Sequence, residues 1–175
     1  MAVFCFVRHG KTDYSARNTK VYQGFGVQLS PMTEQGEAEI RRAAEDSVLQ
    51  GAALILTSPY TRAVQTAAVL AEKIQVPVRI ETDLHEWLAH KGYRYLPEET
   101  ADAAFRAYME NDGMYPDGTE QDWEDREAIR RRVMRVLEKY REYDKVIVAG
   151  HGMMIQAVCG GEILPNGGIA VFRMQ

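Results

Sequence analysis

Short apolar segments alternate with segments of helical periodicity along the chain, and this alternation restricts the fold more than any other feature. Buried strands are predicted at residues 2–7, 53–57 and 145–149, an edge strand at 76–80 and a last strand at 169–172. Helical patterns lie at residues 33–49, 62–74, 97–111, 120–143 and 153–158. Strands that alternate with helices predict an α/β fold, a three-layer α/β/α sandwich around a mostly parallel central sheet.

The chain length and the absence of breaks indicate how many domains to expect. The chain has 175 residues, which is the size of one ordinary domain. Because no linker, repeat or low-complexity tract interrupts it, we predict a single domain over residues 1–175. Residues 84–118 are the least regular part of the chain. We predict that they form a cap or insert over the functional site.

The apolar start and the two cysteines bear on location. Arg8 and His9 end the first apolar run and no basic residue precedes it, which is typical of a first strand and not of a signal peptide. Cys5 and Cys159 lie in apolar surroundings, which predicts buried thiols. No segment is long and apolar enough to span a bilayer, and the expected location is cytoplasmic.

The charge balance restricts the partners. The chain carries 21 basic and 25 acidic residues, a net charge of −4. Such a chain has no broad electrostatic attraction for nucleic acid or for an anionic membrane, so neither is expected as a partner. An anionic ligand must therefore be held by a local cluster of donors.

Polar side chains follow three of the predicted strands at the points where these strands end. Arg8 and His9 follow the first strand, and His151 follows the strand at 145–149. Arg62 lies one turn into the helix after the strand at 53–57. In open α/β sheets ligands bind outside the carboxyl ends of the strands, so neighbouring strands would bring all four side chains into one pocket.

This combination of side chains fits a phosphoryl group. The guanidiniums of Arg8 and Arg62 can bind phosphoryl oxygens through charge-assisted bonds. A neutral His9 can attack phosphorus, and a protonated His151 can donate to another phosphoryl oxygen. The backbone N–H groups at the start of the helix after His151 favour the same anion.

A proton must also reach the leaving oxygen, and Glu86 is the candidate donor because it follows the short strand at 76–80. His85 and His90 are five residues apart and not the four that align two side chains on one helix face, so we do not predict them as metal ligands. No Cys/His spacing matches a metal site. We expect neither a metal nor a cofactor.

At this point a family resemblance becomes visible in six segments that occur in one order. They are Arg8-His9-Gly10 with Thr12, Tyr22-Gln23-Gly24, Leu29 to Thr33 with Gly36, Ser58-Pro59 with Arg62 and Gln65-Thr66-Ala67, Leu84 with Glu86, and Gly150-His151-Gly152. Together they resemble the histidine phosphatase superfamily, which includes the cofactor-dependent phosphoglycerate mutases. The resemblance implies a phosphoglycerate mutase-like fold.

The resemblance also implies roles for individual residues. His9 would be the nucleophile that becomes phosphohistidine, and Glu86 would be the proton donor that later activates water. The rest of the phosphate pocket would be Arg8, Arg62 and His151, and the matching motif positions predict substrate contacts from Thr12, Asn18, Gln23, Gly24 and Gly152. Family members often carry an asparagine six residues after the nucleophile, where this chain has Ser15, so either Ser15 or Asn18 is left to hold the phosphate.

The leading hypothesis is a metal-independent phosphatase that hydrolyses a small phosphomonoester through a phosphohistidine intermediate, and it rests on the set Arg8, His9, Arg62 and His151. A phosphatase is preferred to a mutase because the chain is shorter than a typical mutase of the family. The alternatives are phosphoglycerate mutase-type phosphoryl transfer and a protein phosphohistidine phosphatase. Two other classes are a metal hydrolase and a module that binds phosphate ligands without turnover. Sugar phosphates, nucleotide-derived phosphates such as α-ribazole phosphate and protein phosphohistidine all stay open as substrates, and the state is predicted to be monomer or homodimer.

Two further groups of residues receive structural interpretations. Four arginines alternate with acidic residues at helical spacing, which predicts a solvated, ion-paired helix face; they are Arg130, Arg131, Arg132 and Arg135. The aromatic residues between 84 and 123 are interpreted as core and lid packing, and the alternative is a cap that sets substrate choice.

Overall fold

We describe residues 1–19 and 24–174 in a computed structural model. Its centre is a five-stranded sheet built from β1 (Ala2–Arg8), β2 (Leu54–Thr57), β3 (Val78–Ile80), β4 (Lys145–Gly150) and β5 (Ile169–Met174). The strand order is β3-β2-β4-β1-β5, in which β5 is antiparallel to β1 and the other pairs are parallel. This confirms the mostly parallel sheet, with the short strand β3 at one edge.

Side chains from successive strand positions enter two separate cores because they point alternately to the two faces of the sheet. In β1, Phe4 and Phe6 belong to one buried cluster, whereas Cys5 and Val7 belong to the other. Both faces are therefore covered, as the near-continuous apolar strands require.

Helices supply the two outer layers of the sandwich. The described helices are α1 (Gly26–Leu29), α2 (Glu34–Ala43), α3 (Thr61–Ile74), α4 (Glu98–Glu110), α5 (Arg126–Glu138) and α6 (Gly152–Cys159). Ile40 of α2 and Leu70 of α3 pack with the Cys5 face, and Val133 of α5 and Ile155 of α6 pack with the Phe4 face. The predicted three-layer α/β/α sandwich is confirmed.

Two helices are shorter than their periodicity predicts. The helix predicted at 33–49 begins after the N-cap Thr33 but ends at Ala43, and a 3₁₀ turn follows at Ser47–Leu49. There the Asp46 carboxylate accepts from the N–H of Val48, which offers the backbone an alternative to the helix. The helix predicted at 120–143 runs only from Arg126 to Glu138, because Asp125 caps its start by accepting from the N–H of Ala128.

The strand register brings three carboxyl ends to one edge of the sheet. Arg8 at the end of β1 pairs with Gly150 of β4, and Thr57 at the end of β2 pairs with Ala149 of β4. The residues that follow these ends therefore start from neighbouring positions. The functional side chains are expected here.

Two further sequence predictions concern membrane-spanning segments and the two thiols. Within residues 1–19 and 24–174, no helix has the length and apolar character needed to cross a membrane. Cys5 is buried and Cys159 is partly buried. Burial raises the pKa of both thiols, that of Cys159 to about 11, so both stay protonated at neutral pH.

Candidate active site

A cavity of about 640 Å³ opens where the three strands end. Arg8, His9, Arg62 and Glu86 line it. His151 is fully buried beside them, with its ring centroid 5.2 Å from that of His9. The fold thus places the five predicted catalytic residues together.

Hydrogen bonds determine the tautomer of His9. Its Nδ1 lies 2.8 Å from the carbonyl oxygen of Gly10, which can only accept, so we assign the ring proton to Nδ1. The Nε–H of Arg62 donates to Nε2 of His9 over 3.2 Å. Nε2 therefore carries the lone pair, which accepts from Arg62 in the unliganded site; once the Arg62 N–H turns to a ligand, Nε2 is the atom able to attack phosphorus.

Burial keeps the imidazole of His9 neutral. The pKa of His9 is lowered to about 3, chiefly because the buried cation would lose its hydration and next because the Arg62 guanidinium repels it. The imidazole of His9 is consequently neutral throughout the physiological pH range.

His151 is also neutral in the unliganded site, in contrast to the protonated form considered from the sequence. Its pKa lies well below the usual value because of burial and the positive charge of Arg62. Its Nε2 lies 2.7 Å from Ser58 Oγ, and that oxygen already accepts from the N–H of Tyr60. The Ser58 hydroxyl still has its own hydrogen to donate, and Nδ1 of His151 is buried and has no partner among the described residues.

The two arginines are anchored differently. Arg62 is 2% exposed, donates from Nη1 to the carbonyl of Val27 over 2.5 Å and lies over the ring of Tyr60 at 5.1 Å. Arg8 donates from Nη1 to the carbonyl of Leu164. Its Nε–H is buried and has no partner among the described residues.

The Glu86 carboxylate binds the start of helix α6. It accepts from the N–H groups of Met153 and Met154 over 3.3 and 3.1 Å, and from the N–H of Trp87 over 2.9 Å. The sequence interpretation that these helix N–H groups face the phosphate is therefore wrong for the unliganded site. Their partner is a carboxylate of the protein itself.

A buried ion pair, missed by the sequence interpretation, holds the loop that carries Glu86. Arg132 is 5% exposed and donates to both carboxylate oxygens of Glu124, over 2.6 and 2.9 Å. It also donates to the carbonyls of Asp83, His85 and Glu86, over 2.6, 2.8 and 3.3 Å. These bonds use all five N–H groups of the guanidinium.

Arg132 therefore does not lie on a solvated helix face as predicted. Its spacing to three apolar side chains of α5 was the available signal, since Ile129, Val133 and Val136 share one face with it and are buried. An arginine on that face must find partners inside the protein.

Only some of the predicted substrate-binding residues line the cavity. Asn18 and Gly24 line the cavity, whereas Ser15 is absent from its described lining. The Asn18 amide donates to Glu98 over 3.3 Å. Thr12 Oγ1 lies 3.3 Å from His9 Nδ1, and Gln23 lies outside the described residues.

Gly152 contributes space at the same site. A Cβ atom on Gly152 would lie 3.3 Å from Arg8 Nε and 2.7 Å from a methyl group of Ile163. A side chain there would crowd the Arg8 guanidinium. This is the physical reason for glycine after His151.

Two contacts that the sequence interpretation missed position the backbone around His9. The Asn166 amide donates to the carbonyl oxygen of His9 over 2.8 Å. A Cβ atom on Gly10 would lie only 2.3 Å from the carbonyl oxygen of Gly36. The glycine after His9 therefore permits close packing on helix α2.

Metal coordination has no visible site in the described part of the chain, where no group of three or more His, Cys, Asp or Glu side chains is arranged to hold an ion. His85 is buried, and its Nδ1 bonds to the carbonyl of Glu86 over 2.7 Å. It thus packs within the loop.

The buried histidines predict a loss of stability in acid. His9 has a folded pKa of about 3, whereas an unfolded histidine titrates near ~6.5. Between these values only the unfolded chain binds the proton, so the free energy of unfolding falls as the pH drops. We expect His9 alone to contribute a loss of about 1.4 kcal/mol between about pH 7.5 and about pH 5.5, measured by urea denaturation in phosphate-free buffer.

The control for this prediction is His9→Gln, which removes the titrating group. The variant should show a correspondingly smaller pH dependence than the wild type. An unchanged slope would contradict the depressed pKa of His9.

Comparison with known proteins assigns the chain to a family. Residues 4–163 match the histidine phosphatase superfamily (branch 1), and the chain belongs to this superfamily. The uncharacterized phosphatase PhoE of Bacillus subtilis (strain 168) is 27% identical over 161 residues, which cover 90% of this chain and 76% of that protein. The predicted superfamily and enzyme class, a phosphoric monoester hydrolase, are confirmed.

Solved structures share the fold. Bacillus stearothermophilus YhfR superposes with a TM-score of 0.72 at 18% identity, covering 100% of this chain and 92% of that chain. A mycobacterial glucosyl-3-phosphoglycerate phosphatase superposes with a TM-score of 0.68 at 22% identity, covering 98% and 89%. The predicted phosphoglycerate mutase-like fold is confirmed.

Proposed function

We propose that this protein is a metal-independent phosphatase that hydrolyses a small phosphomonoester through a phosphohistidine on His9. One observation carries the proposal. His9 is neutral, its unprotonated Nε2 accepts from Arg62, and both residues share a cavity with Arg8 and Glu86.

The arginines would bind the phosphoryl group. Arg8 lines the cavity, so its guanidinium can donate to one phosphoryl oxygen. Arg62 uses Nε and Nη1 in its described bonds, so its Nη2 hydrogens can donate to another. His151 lies beside His9 and would supply a third donor as charge develops in the transition state.

In the first chemical step a bond forms between His9 Nε2 and phosphorus while the bond from phosphorus to the leaving oxygen breaks. That oxygen takes a proton from Glu86 in its carboxylic acid form and leaves as an alcohol. The carbonyl of Gly10 accepts from Nδ1–H of the phosphorylated ring, which stabilises its positive charge.

In the second step the Glu86 carboxylate takes a proton from a water molecule. The water oxygen attacks phosphorus, the bond from phosphorus to Nε2 breaks, and inorganic phosphate leaves. His9 returns to its neutral form and Glu86 to its acid form, so the cycle is balanced.

The proposal is tested by assaying the wild-type protein with p-nitrophenyl phosphate and 3-phosphoglycerate, each in the presence of EDTA. We expect phosphate release that EDTA does not reduce, and phosphate release from 3-phosphoglycerate faster than its isomerisation. Activity lost in EDTA and restored by a divalent ion would favour a metal hydrolase. Isomerisation faster than phosphate release would favour a mutase.

A further inference from the structure

We propose that the outer part of this cavity binds an aromatic leaving group, so that the substrate is a phosphomonoester with an uncharged aryl or heteroaryl group. The inference rests on the proposed function and names the substrate class of the same site. It concerns the part of the cavity beyond Arg8, His9, Arg62 and Glu86.

The observation is the location of the exposed aromatic side chains. In residues 1–19 and 24–174, five aromatic side chains are exposed by 36% or more, and every one of them lines this cavity. They are Tyr14, Phe25, Tyr93, Tyr95 and Phe105. Scattered exposed aromatics need no explanation, but their confinement to one concavity indicates a ligand surface.

We call these five side chains together with Trp87 the aromatic wall. Several of its rings contact the body of the protein. Trp87 also lines the cavity, and its indole Nε1 donates to the carbonyl of Glu124 over 2.8 Å. The ring of Phe105 stands edge-on to Trp87 at 6.1 Å. The hydroxyl of Tyr93 lies 3.2 Å from that of Tyr60, next to the phosphate pocket. Such preorganised rings bind a flat ligand at a low entropic cost.

The cavity size fits such a ligand. A volume of about 640 Å³ lies in the middle of the range for small-molecule sites and is far larger than a phosphate needs. The remaining space accepts a group of one or two rings. Because the phosphate pocket and the aromatic wall share one cavity, the leaving group of the substrate is its natural occupant.

The charges of the outer wall do not call for a second anionic group. Among the described lining residues outside the phosphate pocket, the arginines Arg17 and Arg94 match the carboxylates Glu98 and Asp102 in number. Arg17 is also paired with Glu98. A leaving group with a carboxylate or a further phosphate would find no excess of positive charge there.

The test compares two substrates whose leaving groups are both primary alcohols, so that intrinsic reactivity is similar. They are 2-phenylethyl phosphate, which carries a ring, and glycerol 3-phosphate, which does not. We expect kcat/KM to be at least about tenfold higher for the aromatic ester, mainly through a lower KM.

The variant Phe105→Ala removes one ring of the wall. Phe105 is 41% exposed, so the change leaves the core intact. It should reduce the preference ratio by about threefold or more. Met109→Ala is the matched control, because Met109 lies one turn further along α4, is 44% exposed and is absent from the described lining; it should leave the ratio unchanged.

A ratio near one, or a ratio that Phe105→Ala does not change, would overturn the inference while phosphatase activity still supports the proposed function. Turnover of a phosphorylated protein with neither small ester hydrolysed would also overturn it, since the aromatic surface would then be a protein interface. If none of 2-phenylethyl phosphate, glycerol 3-phosphate and p-nitrophenyl phosphate is hydrolysed, the proposed function itself is wrong.

Discussion

Replacing His9 by glutamine will lower kcat for p-nitrophenyl phosphate by at least about 10³-fold. Glutamine keeps the size and polarity of the side chain but has no basic nitrogen to attack phosphorus. The loss should appear in kcat because Arg8, Arg62 and His151, which would bind the phosphoryl group, are unchanged. Steady-state kinetics over a full substrate range measures this.

The control for His9→Gln is ligand binding. Inorganic phosphate should still raise the thermal midpoint of the variant, since Arg8 and Arg62 remain in place. A variant that hydrolyses p-nitrophenyl phosphate at the wild-type rate would rule out His9 as the nucleophile. A variant that is inactive and also fails to respond to phosphate would indicate a collapsed pocket, and His9→Asn would then repeat the test.

Replacing Glu86 by glutamine should lower kcat for an alkyl phosphate by about 10²–10³-fold. The reason is that an alkoxide leaves poorly unless it is protonated. The effect on kcat/KM should be smaller for p-nitrophenyl phosphate, whose phenolate leaves without a proton. Because Glu86 would also activate water in the second step, the variant should show a burst of p-nitrophenol followed by slow turnover.

The matched control is Glu142→Gln, which removes a carboxylate from an exposed position after helix α5. Its kinetics with both substrates should equal those of the wild type. Equal losses with alkyl and p-nitrophenyl phosphate in Glu86→Gln, without a burst, would contradict the proton-donor role.

Much of the architecture and site could be predicted because both rest on local sequence patterns. Apolar runs predicted β1, β2 and β4, and the rule that ligands bind at the carboxyl ends of parallel strands then selected the residues that follow them. The selection was correct because the strand register aligns Arg8 with Gly150 and so brings the residues that follow the two strands together. Polar residues at these points are visible in the sequence before any fold is known.

Features that depend on long-range contacts could not be predicted. The partners of Arg132 include Asp83 and His85, nearly fifty residues away in the chain, and nothing local to α5 identifies them. The occupation of the α6 N–H groups by Glu86 likewise depends on how a loop packs across the sheet edge. Two helix boundaries differ from the prediction for a local reason. Hydrogen bonds that the side chains of Asp125 and Asp46 accept from nearby backbone N–H groups set these boundaries, although the apolar periodicity continues beyond them.

The central claim, a phosphohistidine on His9, is tested most directly by rapid quenching with ³²P-labelled substrate followed by peptide mapping. The label should be stable in alkali and labile in acid, as a phosphoramidate is, and should map to the peptide that contains His9. It should accumulate in Glu86→Gln and be absent from His9→Gln. Label on another residue, or single-turnover hydrolysis without any labelled protein in Glu86→Gln, would contradict the mechanism.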